Sequence, residues 1–281
     1  MLSGKVVVIT GGSRGIGQAV ALACAREGMR VAVCARSSEE LEDTRALVAR
    51  ETREELLTGT ADVAEARSVG EFVARTEREL GPAYALVCAA GILGAIGPID
   101  ETPFEQWEQS IRVNLFGTVH AIRAVLAGMK GRGAGRIVLF SGGGQGPLPR
   151  RTSYAASKGA LWRLTESLGH ELAPSGVYVN AIAPGAVNTQ FLADVLAAGP
   201  ERAGLDAYDD ALEQERAGGA PAQRAADLAM YLLSDASAGL YAKIISAIWD
   251  DYRDWRDLGK ISKSDRYTMK RVVSPDGRTR G

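Results

Sequence analysis

Tyr154 and Lys158 stand four residues apart in the stretch SYAASKGALWRLTESL. On a helix that spacing sets both side chains on one face, close enough to interact. A phenol has a reference pKa near 10, so about one molecule in a thousand is ionised at pH 7, and a neighbouring ammonium stabilises the phenolate. Such a pair can exchange a proton with a substrate oxygen. A lone Tyr-x-x-x-Lys on a helix is common and usually decorative, but here it follows an apolar run that ends at Ser141 and a glycine stretch, Gly142 to Gly144. No hydrophobic core needs a tyrosine and a lysine at that place.

A second constellation lies near the start, in VVVITGGSRGIGQAVA, where Gly11, Gly15 and Gly17 fall between a strand-like run and a helix-like one. Glycines there let the backbone approach a pyrophosphate, and the free N–H groups at the helix start favour its charge. The same turn without a ligand is the plainer alternative. The next apolar run ends in Ala35 and Arg36, where an NAD site usually offers a carboxylate to the ribose 2′-hydroxyl. Arg36 and Arg14 instead offer two planar cationic forks, which suits the 2′-phosphate of NADP(H).

The elements that must position these residues are legible as well. The runs KVVVIT, RVAVCA, LLTGTAD, YALVCAAG, RIVLFS, VYVNAIAP and AKIISAIW read as strands separated by amphipathic helical stretches. That alternation predicts an α/β fold, a Rossmann-type doubly wound parallel sheet of about seven strands with helices on both faces. Residues 104–130 and 152–173 read as long helices, stopped by Gly131 and Pro174. One domain is expected over 1–281, with 186–220 as a substrate lid and 251–281 as an extension. The lid carries seven acidic and two basic residues, the extension nine basic and five acidic. Both are read as solvated surfaces rather than as partners.

Composition narrows the function classes. The 281 residues are 46% hydrophobic and 24% charged with a net charge of −1, so no global attraction to nucleic acid or membrane is expected. Cys24, Cys34 and Cys88 sit in apolar stretches without metal-ligand spacing and read as reduced structural thiols. The chain opens directly on a strand, with no basic and apolar leader, so a cytoplasmic location is expected. His120 and His170 read as packing or surface residues, and no metal is expected.

Taken in order, T-G-x-x-x-G-x-G at Thr10 to Gly17, Asp62 after the third strand, Asn114, Ser141, Tyr154, Lys158 and PGAVNT at 184–189 resemble the short-chain dehydrogenase/reductase family over about residues 1–250. Ser141 precedes Tyr154 by thirteen residues and Asn114 precedes it by forty, as in that family. The resemblance implies that Tyr154 is the general acid or base and that Ser141 holds the substrate oxygen. Lys158 would bind the nicotinamide ribose and tune the tyrosine, and Asn114 would help anchor a relay water. For the cofactor it implies Gly11, Ser13, Arg14, Gly15, Ile16 and Gly17 at the turn, Arg36 after the second strand, and Asp62 and Val63 at the adenine. Ala89, Ala90 and Gly91 would follow the fourth strand, and Pro184, Gly185, Val187 and Thr189 would border the nicotinamide.

The expectation is therefore an NADPH-dependent enzyme of a small-molecule ketone or secondary alcohol, polar or sugar-like. Gly142, Gly143 and Gly144 would leave room for a bulky group. A 3-oxoacyl carrier-protein reductase, with a basic docking patch at 129–136 or in the extension, is the enzymatic alternative. A non-catalytic NADP-binding sensor or scaffold is the alternative of another class. The resemblance also implies a homodimer or homotetramer built on the two long helices. Two departures stand out. Cys88 replaces the family's usual asparagine, and the extension carries Trp249, Tyr252, Trp255 and Tyr267, read first as packing aromatics.

Overall fold

The seven apolar runs form the strands of one sheet in a computed structural model that describes residues 1–142 and 146–270. They are β1 Val6–Thr10, β2 Arg30–Ala35, β3 Leu57–Thr60, β4 Ala83–Cys88, β5 Gly135–Phe140, β6 Val177–Ala183 and β7 Ile244–Ser246. Their order is β3-β2-β1-β4-β5-β6-β7, and every neighbouring pair is parallel. The chain therefore reverses its direction of winding between β1 and β4. In such sheets the carboxyl ends of the two strands open a crevice at that point.

Strand side chains alternate between two cores. Val7, Ile9, Val31, Val33, Ala85 and Val87 pack on one face with α1 (Gly15–Arg26), α2 (Ser38–Thr52) and α9 (Ala222–Leu233). Val8, Ala32, Cys34, Leu86 and Cys88 pack on the other, against α3 (Ala66–Leu80), α5 (Gly117–Arg132) and α6 (Thr152–Leu172). This is the period of two expected of a sheet covered on both sides. Burying each Val or Leu side chain contributes about 1.5–3 kcal/mol, so the two cores fix the register that brings β1 and β4 to the crevice.

The helix expected over 104–130 differs in two ways. It comprises α4 (Phe104–Ile111), a π-helical turn (Arg112–Phe116) and α5, and it runs past Gly131 to end at Gly133 in a left-handed conformation (φ 64°). An isolated glycine weakens a helix but does not stop one, whereas Gly133 accepts the backbone that a stop requires. The π-turn widens the helix at Asn114, and such turns favour functional places.

The lid segment holds α7 (Gln190–Ala203), kinked at Gly199, and α8 (Leu205–Ala217). The extension returns across the sheet edge through α10 (Leu258–Lys263). Fully buried Lys243 donates to the carbonyls of Ser264 and Arg266, and the Ile244 amide donates to the Tyr267 carbonyl. Tyr252 packs on Tyr231 and Trp255 on Tyr267, so three of the four extension aromatics serve packing. Trp249 stays 81% exposed beside the crevice. Among the described residues no ion pair joins the acidic lid to the basic extension; Arg253 pairs with Asp227, and Lys260 with Asp257.

Candidate active site

The crevice is a cleft of about 1860 Å³, and every residue expected to hold a nucleotide lines it. At Gly11 (φ 68°) a β-carbon would lie 2.4 Å from the Ala90 Cα, and at Gly17 it would lie 2.2 Å from the Gly11 carbonyl oxygen. Both glycines are thus required by backbone meeting backbone. The first turn of α1 contains no acidic residue, no side chain caps it, and its Gly15, Ile16 and Gly17 line the cleft. A pyrophosphate suits that position.

Arg14 and Arg36 are both exposed at the outer end of the cleft. A third residue, missed in the sequence, stands with them: Glu40 accepts hydrogen bonds from Ser13 Oγ (2.8 Å) and Arg14 Nη1 (3.0 Å). The motif Ser37-x-x-Glu40 signals only a helix start, not this contact. It is a capping box in form, and Ser37 does cap α2 by accepting the Glu40 amide, but the glutamate side chain turns to the glycine turn instead of closing the box.

Where an adenine is expected, Asp62 accepts the Ala64 amide, and His120 Nδ1 bonds the Val63 carbonyl, so His120 serves packing. Where Cys88 replaces asparagine, the thiol is fully enclosed and burial pushes its pKa up, which leaves it inert. Among the described residues no group of histidines, cysteines or carboxylates could hold a metal ion.

At the inner end Tyr154 and Lys158 both line the cleft, each 7% exposed. Lys158 Nζ donates to the Phe140 carbonyl at 2.8 Å and lies 5.6 Å from the centre of the Tyr154 ring. Burial pushes the Tyr154 phenol up to about 12, opposed by the charge of Arg151, and burial pushes the Lys158 ammonium down to about 8. The phenol is therefore a proton donor at neutral pH. Arg151 lies three residues before Tyr154, at the N-cap of α6, and no pattern in the sequence marks it.

Asn114 and Ser141 stand one layer behind and do not line the cleft. Asn114 is fully buried; it accepts the Ile92 amide and donates to the Ile92 carbonyl and to Ser157 Oγ, so its side chain clamps the segment after β4 to α6. Ser141 is equally buried and donates to the Ile182 carbonyl at 3.4 Å. Gly142 comes nearest the reacting group: a β-carbon there would sit 2.9 Å from the Tyr154 hydroxyl. Its lack of a side chain makes room for the phenol. Gly143 and Gly144 lie outside the described residues.

The lid covers this end with Phe191, Leu192, Val195 and Ala211, and Tyr267 and Thr268 of the extension border the cleft. The basic segment at 129–136 lies where α5 ends and β5 begins, at the amino edge of the sheet and opposite the cleft. Its Arg136 is buried over the Tyr178 ring.

The sheet agrees in fold with solved structures of known proteins. A model of the short chain dehydrogenase family matches residues 5–198. The 2,3-dihydro-2,3-dihydroxybenzoate dehydrogenase of Bacillus subtilis (strain 168) is 36% identical over 191 residues, covering 68% of this chain and 72% of that protein. Among solved structures, a point variant of an actinorhodin polyketide ketoreductase with NADPH superposes with a TM-score of 0.79 at 30% identity, over 91% of this chain and 100% of that one. An NAD+-bound xylitol dehydrogenase superposes with a TM-score of 0.76 at 27% identity, over 87% and 98%. With its match over residues 5–198, this chain belongs to the short-chain dehydrogenase family and is an oxidoreductase of that type.

Proposed function

We propose that the protein is an NADP(H)-dependent oxidoreductase that interconverts a ketone and a secondary alcohol. The observation that carries this reading is one continuous cleft with Arg14 and Arg36 at one end and the protonated Tyr154 phenol beside Lys158 at the other. Bound there, the nicotinamide supplies or accepts the hydride. The chain's own residues do the rest. The α1 amides and the two arginines hold phosphates, and Phe191, Leu192 and Val195 keep water from the reacting centre. In the reducing direction Tyr154 gives its proton to the carbonyl oxygen. The phenolate left behind is stabilised by Lys158 and Arg151 before it is reprotonated.

Ser141 is the proposed hold on the substrate oxygen, turning its hydroxyl from Ile182 toward the ligand. The enzyme is read as cytoplasmic, in keeping with three free buried cysteines; no described helix is long and apolar enough to cross a membrane. It is read as a homodimer or homotetramer, because Phe104 and Phe116 on the long helices are 67% and 48% exposed.

Parallel thermal-shift titrations with NADPH and NADH, followed by a ketone panel, test the reading. NADPH alone should raise the melting temperature, and Tyr154→Phe should keep that shift while losing about 10²–10⁴-fold in kcat. Full turnover by Tyr154→Phe would overturn the mechanism, and a larger shift with NADH would overturn the cofactor assignment.

A further inference from the structure

Arg151 lines the cleft at the N-cap of α6, three residues before Tyr154. Its guanidinium is half-buried, and its Nε is withdrawn from solvent with no hydrogen-bond partner among the described residues. Burial holds its pKa below the ordinary arginine value. Among the described residues no carboxylate forms an ion pair with it; Asp210 of α8 is the nearest acidic influence and remains exposed. A buried donor left unmatched is costly, and the ready remedy is a ligand acceptor. A guanidinium fork matches a carboxylate in shape as well as charge.

We propose that Arg151 binds an acidic group of the substrate, so that the compound reduced or oxidised here is a keto or hydroxy acid. This rests on the oxidoreductase reading above and names its substrate class. The surroundings orient such a molecule. Its acid group meets Arg151 at the start of α6; Asp210, whose charge reaches Arg151, and Glu213 border the same cleft from the lid, where both are exposed and screened by solvent. Its carbonyl meets the Tyr154 hydroxyl, and its carbon body lies on Leu148, Leu192 and Val195. Arg151 is the residue that precedes α6, with a non-helical backbone (φ −131°, ψ 41°), and it borders the same cleft as Tyr154, so one ligand can meet both.

The test titrates the cofactor-loaded enzyme by calorimetry with two matched pairs: 4-oxopentanoate and its methyl ester, and 2-oxo-4-phenylbutanoate and its ethyl ester. At least one acid should bind about tenfold tighter than its ester. Arg151→Gln should erase that gap, and Arg151→Lys should keep part of it, which separates loss of charge from loss of fold. Equal binding of acid and ester, a gap that survives Arg151→Gln, or no binding in either pair overturns the proposal. Turnover of the same compounds is read separately. Preference for the acid without hydride transfer keeps the anion site and sinks the ketone–alcohol reading. Esters reduced as well as acids keep the oxidoreductase and sink the anion site.

Discussion

Phe191 meets Tyr154 edge to face, with ring centres 5.4 Å apart and planes crossing at 81°. Phe191 is the second residue of α7, just past the cap at Thr189, so the root of the lid is seated on the phenol. An aromatic pair of this kind is worth about 0.5–1.5 kcal/mol beyond the area it buries. The Phe191 ring is thus among the groups that pack against the buried phenol.

Phe191→Ala should therefore uncover the phenol and bring its pKa down from about 12. Less burial favours the phenolate, so the rising limb of the pH–rate profile for alcohol oxidation should move to lower pH. Turnover should fall by about tenfold as water enters. A profile superimposable on the wild type would show that the lid does not tune the acid.

Glu40 shares Arg14 and Ser13 at the place where a 2′-phosphate is expected. A phosphate must compete with that carboxylate for the same donors. Glu40→Gln should tighten NADPH about threefold, the scale of an exposed ion pair, and leave NADH unchanged or weaker. Fluorescence titration with both nucleotides checks it. A variant that tightens NADH as much as NADPH would mean that Glu40 repels the pyrophosphate common to both rather than competing with a 2′-phosphate for Arg14.

Lys158 offers a pH test in the cofactor-free protein. Its folded pKa is about 8, below the ordinary 10.5. Below pH 8 the lysine is charged whether folded or unfolded. Between about 8 and 10.5 the unfolded chain binds a proton that the folded one does not, so this group makes stability rise with pH. The gain is about 3 kcal/mol across the window. Cys24 and Cys34, raised to about 12, act in the opposite sense above 9, so the difference between wild type and Lys158→Met is the quantity to read. Denaturant melts at pH 7 and pH 10 should show Lys158→Met more stable than wild type at the lower pH and the advantage shrinking at the higher one.

Lys243 ties the extension to the sheet through the Ser264 and Arg266 carbonyls. Lys243→Met leaves both without their donor, at a cost of about 1–3 kcal/mol. The melting temperature should fall, and protease should cut within 258–270 faster than in wild type. Because Tyr267 and Thr268 border the cleft, KM should rise more than kcat falls. Unchanged proteolysis would show that the extension is held by its aromatics alone.

The seven strands, their parallel sense and the glycine turn were legible in the sequence, because burial on both faces writes continuous apolar runs and a backbone-to-backbone approach admits only glycine. Tyr154 and Lys158 were legible through the period of the helix that carries both. Tertiary structure alone decided the rest. Asn114 and Ser141 carry the expected identities, but only packing shows that they stand behind the cleft wall, spent on Ile92, Ser157 and Ile182. Glu40 and Phe191 come from segments far along the chain from the residues they touch, and no local spacing encodes such contacts. Arg151 was visible as a charge three residues before Tyr154. That its Nε would be buried and unmatched depends on how the lid and α6 close around it, a property of the packed chain and of no stretch within it.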